Sequence, residues 1–191
     1  MAVATLAGLP LPLAAVQVLY VNLATDGLPA MALAVDPPAP GLMDRRPRDP
    51  ARGVFTPGVV FLMLLGGAWS TLVNVSLFAW SLGDEAGQAH AMTMCFVSLV
   101  LIQLAKAYSF RSDRASVLHD TLGNRWLNRA VGWELLMLLA LVSVAPLRTL
   151  FGLTPLALHD WVVVTLAALS VIPVLEAGKW GLRRGMFGGA G

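Results

Sequence analysis

Charge is what this sequence has least of. Only 13% of its 191 residues are Asp, Glu, Lys or Arg, and the mean hydropathy is +0.72; a soluble domain carries about 25% charged residues. That deficit excludes a chain solvated on all sides. Cysteine is nearly absent as well: Cys95 stands alone in an apolar run, which rules out an intramolecular disulfide and reads as packing. The opening "MAVATLAGLPLPLAAVQVLY" contains no Lys or Arg, so it lacks the basic start of a signal peptide, and the chain is expected to begin in the middle of something longer. A glycine-rich phosphate loop of the Walker type, an internal repeat, and a basic stripe interleaved with aromatics are all missing. With a net charge of only +2, nucleic acid is not an expected partner.

Apolar length is what the chain has instead. A helix needs about 20 apolar residues to cross a bilayer, and five stretches qualify: 11–35, 58–82, 89–110, 130–147 and 158–179. The lipid bilayer is thus the first expected partner. Backbone in hydrocarbon must satisfy its own hydrogen bonds, which spans of this length do as helices. The expected fold is therefore all-α: a polytopic membrane helix bundle filling 1–188, with a short tail at 189–191.

Cationic side chains orient the bundle. Arg45, Arg46, Arg48, Arg52, Lys106, Arg111, Arg114, Arg125, Arg129, Lys179, Arg183 and Arg184 fall in or beside alternate loops and the C-terminus, and only Arg148 falls on the other side. By the positive-inside rule the N-terminus is expected outside and the C-terminus in the cytoplasm. Trp80, Trp126, Trp161 and Trp180 lie near the expected interfaces, whereas Trp69 and Trp133 lie deeper and read as packing. Gly66 and Gly67 permit close helix approach. Eleven Arg against two Lys, with short external loops, point to a bacterium of GC-rich genome and hence to a bacterial plasma membrane.

The first span holds a polar cluster, "VNLATDGLPA". Asn22 and Asp26 are four residues apart and share a helix face, with Thr25 beside them. An Asp at the bilayer centre costs ~2.5–3.5 kcal/mol on insertion scales. Pro29 has no N–H, so the Thr25 carbonyl loses its helical partner, and Gly27 relaxes the backbone. The helix is expected to break or unwind across 24–29, which membrane depth tolerates only where protein or a water-filled cavity covers it. Carboxylate, amide and bare carbonyl oxygens suit a hard cation such as calcium. Two blander readings remain: a "DG" turn joining two short helices, and packing glue between helices. The first leaves 28–35 too short, and the second leaves the acid and the break at one place unexplained.

A calcium shell takes six to eight oxygens, so other helices must contribute. Gln103 in "LVLIQLAKAYSFRS" is the best partner, with a buried interhelical amide as its alternative. Asn74 is polar but isolated and reads as structural. Glu134 and Glu176 are expected near cytoplasmic span ends, within reach of headgroup water, and Lys106 can snorkel.

These residues carry a resemblance. "VQVLYVNLATDGLPAMALAVDPP" followed by "MDRRPR" resembles the sixth transmembrane helix and next cytoplasmic loop of the P-type calcium-transporting ATPases. "MTMCFVSLVLIQLAKAYSFRSDR" is similar to their eighth helix, and "LFGLTPLALHDW" with "LEAGK" to their closing loop and tenth helix. The resemblance covers essentially the whole chain as the C-terminal cation-ATPase domain, its five spans matching helices six to ten, the first one broken at mid-membrane. It implies that Asn22 and Asp26 coordinate transported calcium, and that Thr25 serves a second site in two-site pumps. Gln103 stands where those pumps have a glutamate, which implies a weakened or absent second site and leaves manganese open beside calcium. It also implies parts this sequence does not contain: the D-K-T-G-T phosphorylation loop, the nucleotide-binding and actuator domains that use ATP and magnesium, and helices one to five. The chain is thus expected to be a fragment of a pump, with that N-terminal part as its partner. A freestanding, noncatalytic membrane protein that packs against or regulates a cation pump is the alternative, and a passive channel is disfavoured because no pore ring is evident.

Overall fold

A computed structural model describes residues 2–25, 27–37, 55–83, 87–111 and 123–184. Asp26 and the loop bearing "MDRRPR" lie outside the described residues. No described residue forms a strand, and the elements are helices throughout: α1 (Ala2–Leu6), α2 (Ala15–Tyr20), a π-helical turn (Val21–Thr25), α3 (Gly27–Ala34), α4 (Pro57–Leu82), α5 (Gly87–Ser109), α6 (Arg125–Ser143), α7 (Ala145–Leu150), α8 (Leu158–Leu169) and α9 (Val171–Arg183). Four of the described segments are long and apolar enough to cross a bilayer: α4, α5, α6 and α8–α9 taken together. The molecule is an all-α membrane helix bundle.

Proline and capping residues set where the helices begin. Each proline inside a described helix occupies one of its first three positions: Pro29 in α3, Pro57 in α4, Pro146 in α7 and Pro173 in α9. A first-turn amide has no intrahelical partner, so its loss costs nothing there. The same residues stop the helix before them, since Pro removes the bond to the carbonyl four residues back. Thus α6 ends at Ser143 ahead of Pro146, and α8 ends at Leu169, four residues before Pro173. The expected span at 158–179 is therefore two helices with Ser170 between them. The expected span at 130–147 is displaced: α6 starts at Arg125, because Asn124 accepts from the amides of Trp126 and Leu127 at 2.9 Å each and caps the helix there.

The most enclosed helix is α5, with 56% of its apolar window buried against 22% to 33% in the other three segments. It touches α4, α8, α9, α6, α3 and the π turn. Met94, Phe96, Val97, Val100 and Leu104 project from it into a core completed by Phe78 of α4, Leu127 and Leu138 of α6 and Val164 of α8. Lipid is as apolar as these side chains, so close fit rather than water exclusion drives such packing. Glycine supplies the fit between α4 and α9. A Cβ at Gly178 would stand 2.6 Å from Leu65 Cδ2 and 3.0 Å from Leu62 Cδ2, and one at Gly66 would stand 3.2 Å from Leu175 Cδ2. Trp69 stays inside the bundle and donates to Ser170 Oγ at 2.9 Å, next to the α8–α9 break. Trp133, expected as packing, is exposed instead, on the outer face of α6.

Candidate functional site

The broken segment starts with α2, whose first turn is closed by Gln17. Its Oε1 accepts from the Ala14 amide at 3.0 Å, and its Nε2 donates to the Phe151 carbonyl at 3.0 Å. After Tyr20 the winding widens into the π turn at Val21–Thr25, and α-helix resumes at Gly27. The irregularity thus begins earlier than the 24–29 stretch expected from Pro29 alone, and α3 is regular through Pro29. Single π turns within helices recur at functional sites. Within this one, the Thr25 hydroxyl donates to the Val21 carbonyl at 2.5 Å, a back-bond four residues along that holds the side chain against its own helix.

A cleft of about 290 Å³ opens beside the interruption. Thr25 and Pro29 line it from the broken segment, Met63 and Gly67 from α4, and Gln103 and Lys106 from α5. A Cβ at Gly67 would meet nothing within 4 Å, so the missing side chain leaves that wall open. Two of the expected ligands, Thr25 and Gln103, are therefore brought to one cavity from residues far apart in sequence. Asn22 is not: it is exposed, whereas Thr25 is buried, and widening the turn takes the two off a shared face. Asp26 falls outside the described residues, between Thr25 and Gly27. Lys106, expected only to snorkel, stands on the cleft wall.

The donor set is oxygen, neutral and incomplete. Thr25 offers a hydroxyl and Gln103 a carboxamide oxygen, both hard ligands, short of the six to eight that calcium takes. Among the described residues no three His, Cys, Asp or Glu side chains gather in a way that could hold a metal. A cation here needs a carboxylate from the neighbouring sequence position or from outside these residues. Asn74 lies apart from the cleft: its Nδ2 donates to Ser70 O at 2.8 Å, and its Oδ1 faces Cys95 Sγ at 3.9 Å.

Glu134 corrects an expectation. Rather than reaching headgroup water from a span end, it sits at the middle of α6 with 0% of its surface exposed. Its Oε2 accepts from the Tyr20 hydroxyl at 3.1 Å, while Oε1 has no hydrogen-bond partner among the described residues. Glu176 is bound by Lys179 at 3.2 Å, and Lys179 is itself buried. Sequence reading also missed a polar knot where three segments end. Asp36, just past α3, accepts from Arg111 through Nε at 3.1 Å and Nη2 at 3.0 Å, and from Asn124 Nδ2 at 2.8 Å. Asn124 Nδ2 also donates to the Ala32 carbonyl at 2.9 Å. An Asn directly ahead of an apolar run is a cap signal that could have located Asn124; nothing local marks Asp36 as its partner.

Comparison with known proteins places these features in a wider group. The family model described as "Cation transporting ATPase, C-terminus" matches residues 10–181. The chain is 35% identical over 172 residues to a calcium-transporting ATPase of Bacillus subtilis, covering 89% of this chain and 19% of that protein. It is 33% identical over 188 residues to calcium-transporting ATPase 1 of Bacillus cereus, covering 90% and 21% respectively. A more distant relative, calcium-transporting ATPase 3, endoplasmic reticulum-type, of Arabidopsis thaliana, is 28% identical over 207 residues, covering 93% and 21%. The chain spans about a fifth of the length of these relatives.

Proposed function

The chain belongs to the family of cation-transporting ATPase C-terminal regions, and from that premise we propose that it serves as the membrane half of an ATP-driven calcium pump, holding part of the transported ion's coordination shell beside its interrupted helix. The observation that carries this reading is the cleft at the π turn, which Thr25 and Gln103 both line. Oxygen ligands beside irregular backbone are the arrangement in which transporters hold cations between helices. Asp26 supplies the charge and Asn22 a further oxygen. Asn22 is exposed on this chain, and a polar amide facing hydrocarbon is costly; helices from the remainder of the pump cover it and complete the shell. Manganese, which takes similar oxygen ligands, competes for the same place. ATP and magnesium act only in the catalytic domains of the whole enzyme, whose phosphorylation switches access to the site.

The test joins this chain to the catalytic and preceding membrane parts of a calcium-transporting relative and measures calcium-dependent phosphoenzyme in membranes. Asp26→Ala abolishes the calcium dependence, and Thr25→Val and Gln103→Leu shift it to higher calcium. Unchanged calcium dependence in Asp26→Ala rejects the ligand role.

A further inference from the structure

We infer that α6, which carries none of the expected ligands, is a splint that holds the two halves of the broken segment in register and confines their movement to the stretch between two polar anchors. One anchor lies just before the π turn, where the Tyr20 hydroxyl donates to Glu134 Oε2 at 3.1 Å. The other lies past the interruption, where Asn124 Nδ2 donates to the Ala32 carbonyl at 2.9 Å and to Asp36 Oδ1 at 2.8 Å. Both anchors are on one helix. From Asn124 to Glu134 is ten residues, about 15 Å of helix axis at 1.5 Å per residue. Twelve steps of the broken segment, Tyr20 to Ala32, cross the same interval in the opposite direction.

The splint has the properties a strut needs. No proline lies within α6, and Asn124 caps its first turn with the same side chain that grips α3. The second anchor is braced by Arg111 at the end of α5, which holds the Asp36 carboxylate with two nitrogens at 3.0 and 3.1 Å. A charge-assisted fork of this kind is directional and strong. At the first anchor the Tyr20 ring packs edge-on against Phe96 and Phe151, at 5.6 and 5.9 Å between centroids, which fixes the direction of its hydroxyl. At the first anchor Glu134 is fully buried and little water reaches it to replace a lost bond, while at the second the fork from Arg111 and the bond to Ala32 do the holding. Between the anchors lie Asn22, Thr25, Asp26 and Pro29, where the π turn already departs from regular winding. A consequence, resting on the reading of that stretch as an ion site, is that Tyr20, Glu134, Asp36 and Asn124 are positioning residues for the cation ligands.

The test uses the full chain in lipid nanodiscs, with Cys95→Ser to remove the native thiol and spin labels at Leu19→Cys and Met31→Cys, both exposed and flanking the break. The expected result is one narrow label distance. Tyr20→Phe and Asn124→Ala each broaden it, while Glu134→Gln, which keeps an acceptor oxygen, leaves it narrow. A merely stabilising role would lower the melting temperature in Tyr20→Phe and leave the distance narrow below it. Should Asn124→Ala fail to fold, Asp36→Asn loosens the same anchor. An unchanged distance in folded Tyr20→Phe and in the folded variant of the second anchor overturns the splint. Manganese, read by its own resonance signal, is the ion probe, applied to the chain joined to the catalytic and preceding membrane parts of a calcium-transporting relative so that the shell is complete: the anchor variants bind it about tenfold more weakly than the parent, the scale of effect seen when groups supporting metal ligands are removed. If the parent joined in this way binds no manganese or calcium, the ion-site reading fails, and the label distances still decide the splint.

Discussion

At the scale of single residues, Asn124 ties the start of α6 to the end of α3. Its Oδ1 satisfies two amides of α6, and its Nδ2 reaches the Ala32 carbonyl and Asp36. Asn124→Ala is expected to cost ~1 kcal/mol from the cap alone, with a further loss from leaving Asp36 with fewer donors. Thermal unfolding in detergent checks this, with Asn124→Asp as the variant that keeps the cap and loses the donor. Asp36 and Arg111 are coupled, so Asp36→Asn and Arg111→Gln combined are expected to cost less than the sum of the two singles, by ~0.5–3 kcal/mol. A double-mutant cycle on the same unfolding signal measures it. Strict additivity would mean that the fork contributes nothing.

At the scale of elements, helix contacts depend on where glycine allows approach. Gly178→Ala places a methyl 2.6 Å from Leu65 Cδ2, and overpacking of this kind costs ~1–3 kcal/mol. Gly132→Ala, within α6 and with nothing inside 4 Å of the added carbon, is expected to stabilise by ~0.5–1 kcal/mol from helix propensity. The two substitutions are chemically identical and opposite in sign, and chemical denaturation in mixed micelles compares them directly. Much of the element plan was open to sequence reading. The apolar runs announced α4 and α5 because a helix crossing lipid must be long and apolar whatever it packs against. Breaks were legible in principle from proline, yet only Pro29 was used that way. Pro146 and Pro173 carry the same message, and they end α6 and divide α8 from α9. The expected break at 24–29 overlaps the π turn only at Ala24 and Thr25, and the irregularity starts earlier, at Val21: Pro29 fits the first turn of α3 without distortion, and no residue type demands the earlier start.

At the scale of the whole molecule, the lopsided distribution of Lys and Arg makes a prediction about topology. Single cysteines replacing Arg148 and Arg183, in a Cys95→Ser background, are expected to react differently with an impermeant maleimide applied to intact cells: Arg148→Cys labels from outside, and Arg183→Cys labels only after the membrane is opened. Equal labelling from outside would reverse or abolish the expected orientation. The pairing of distant segments belongs to this scale too. Thr25 and Gln103 reach one cleft because α5 runs through the centre of the bundle and touches the π turn. Glu134 finds its hydrogen-bond donor in Tyr20, 114 residues earlier in the chain.

By itself the sequence determined what lipid imposes locally: an all-helical bundle, cut where proline removes an amide, with a polar cluster whose insertion cost singles it out as a candidate site. Those properties depend on each residue and its near neighbours, which is why they can be read along a line. Only the tertiary structure decided that Asn22 and Thr25 part company while Thr25 and Gln103 meet. It likewise turned Glu134 from an expected headgroup contact into an interior anchor and gathered Asp36, Arg111 and Asn124 into one knot. Hydrogen-bond partners inside a membrane are chosen by which helices lie side by side, and that choice is made by side-chain fit across the bundle, which no local pattern encodes.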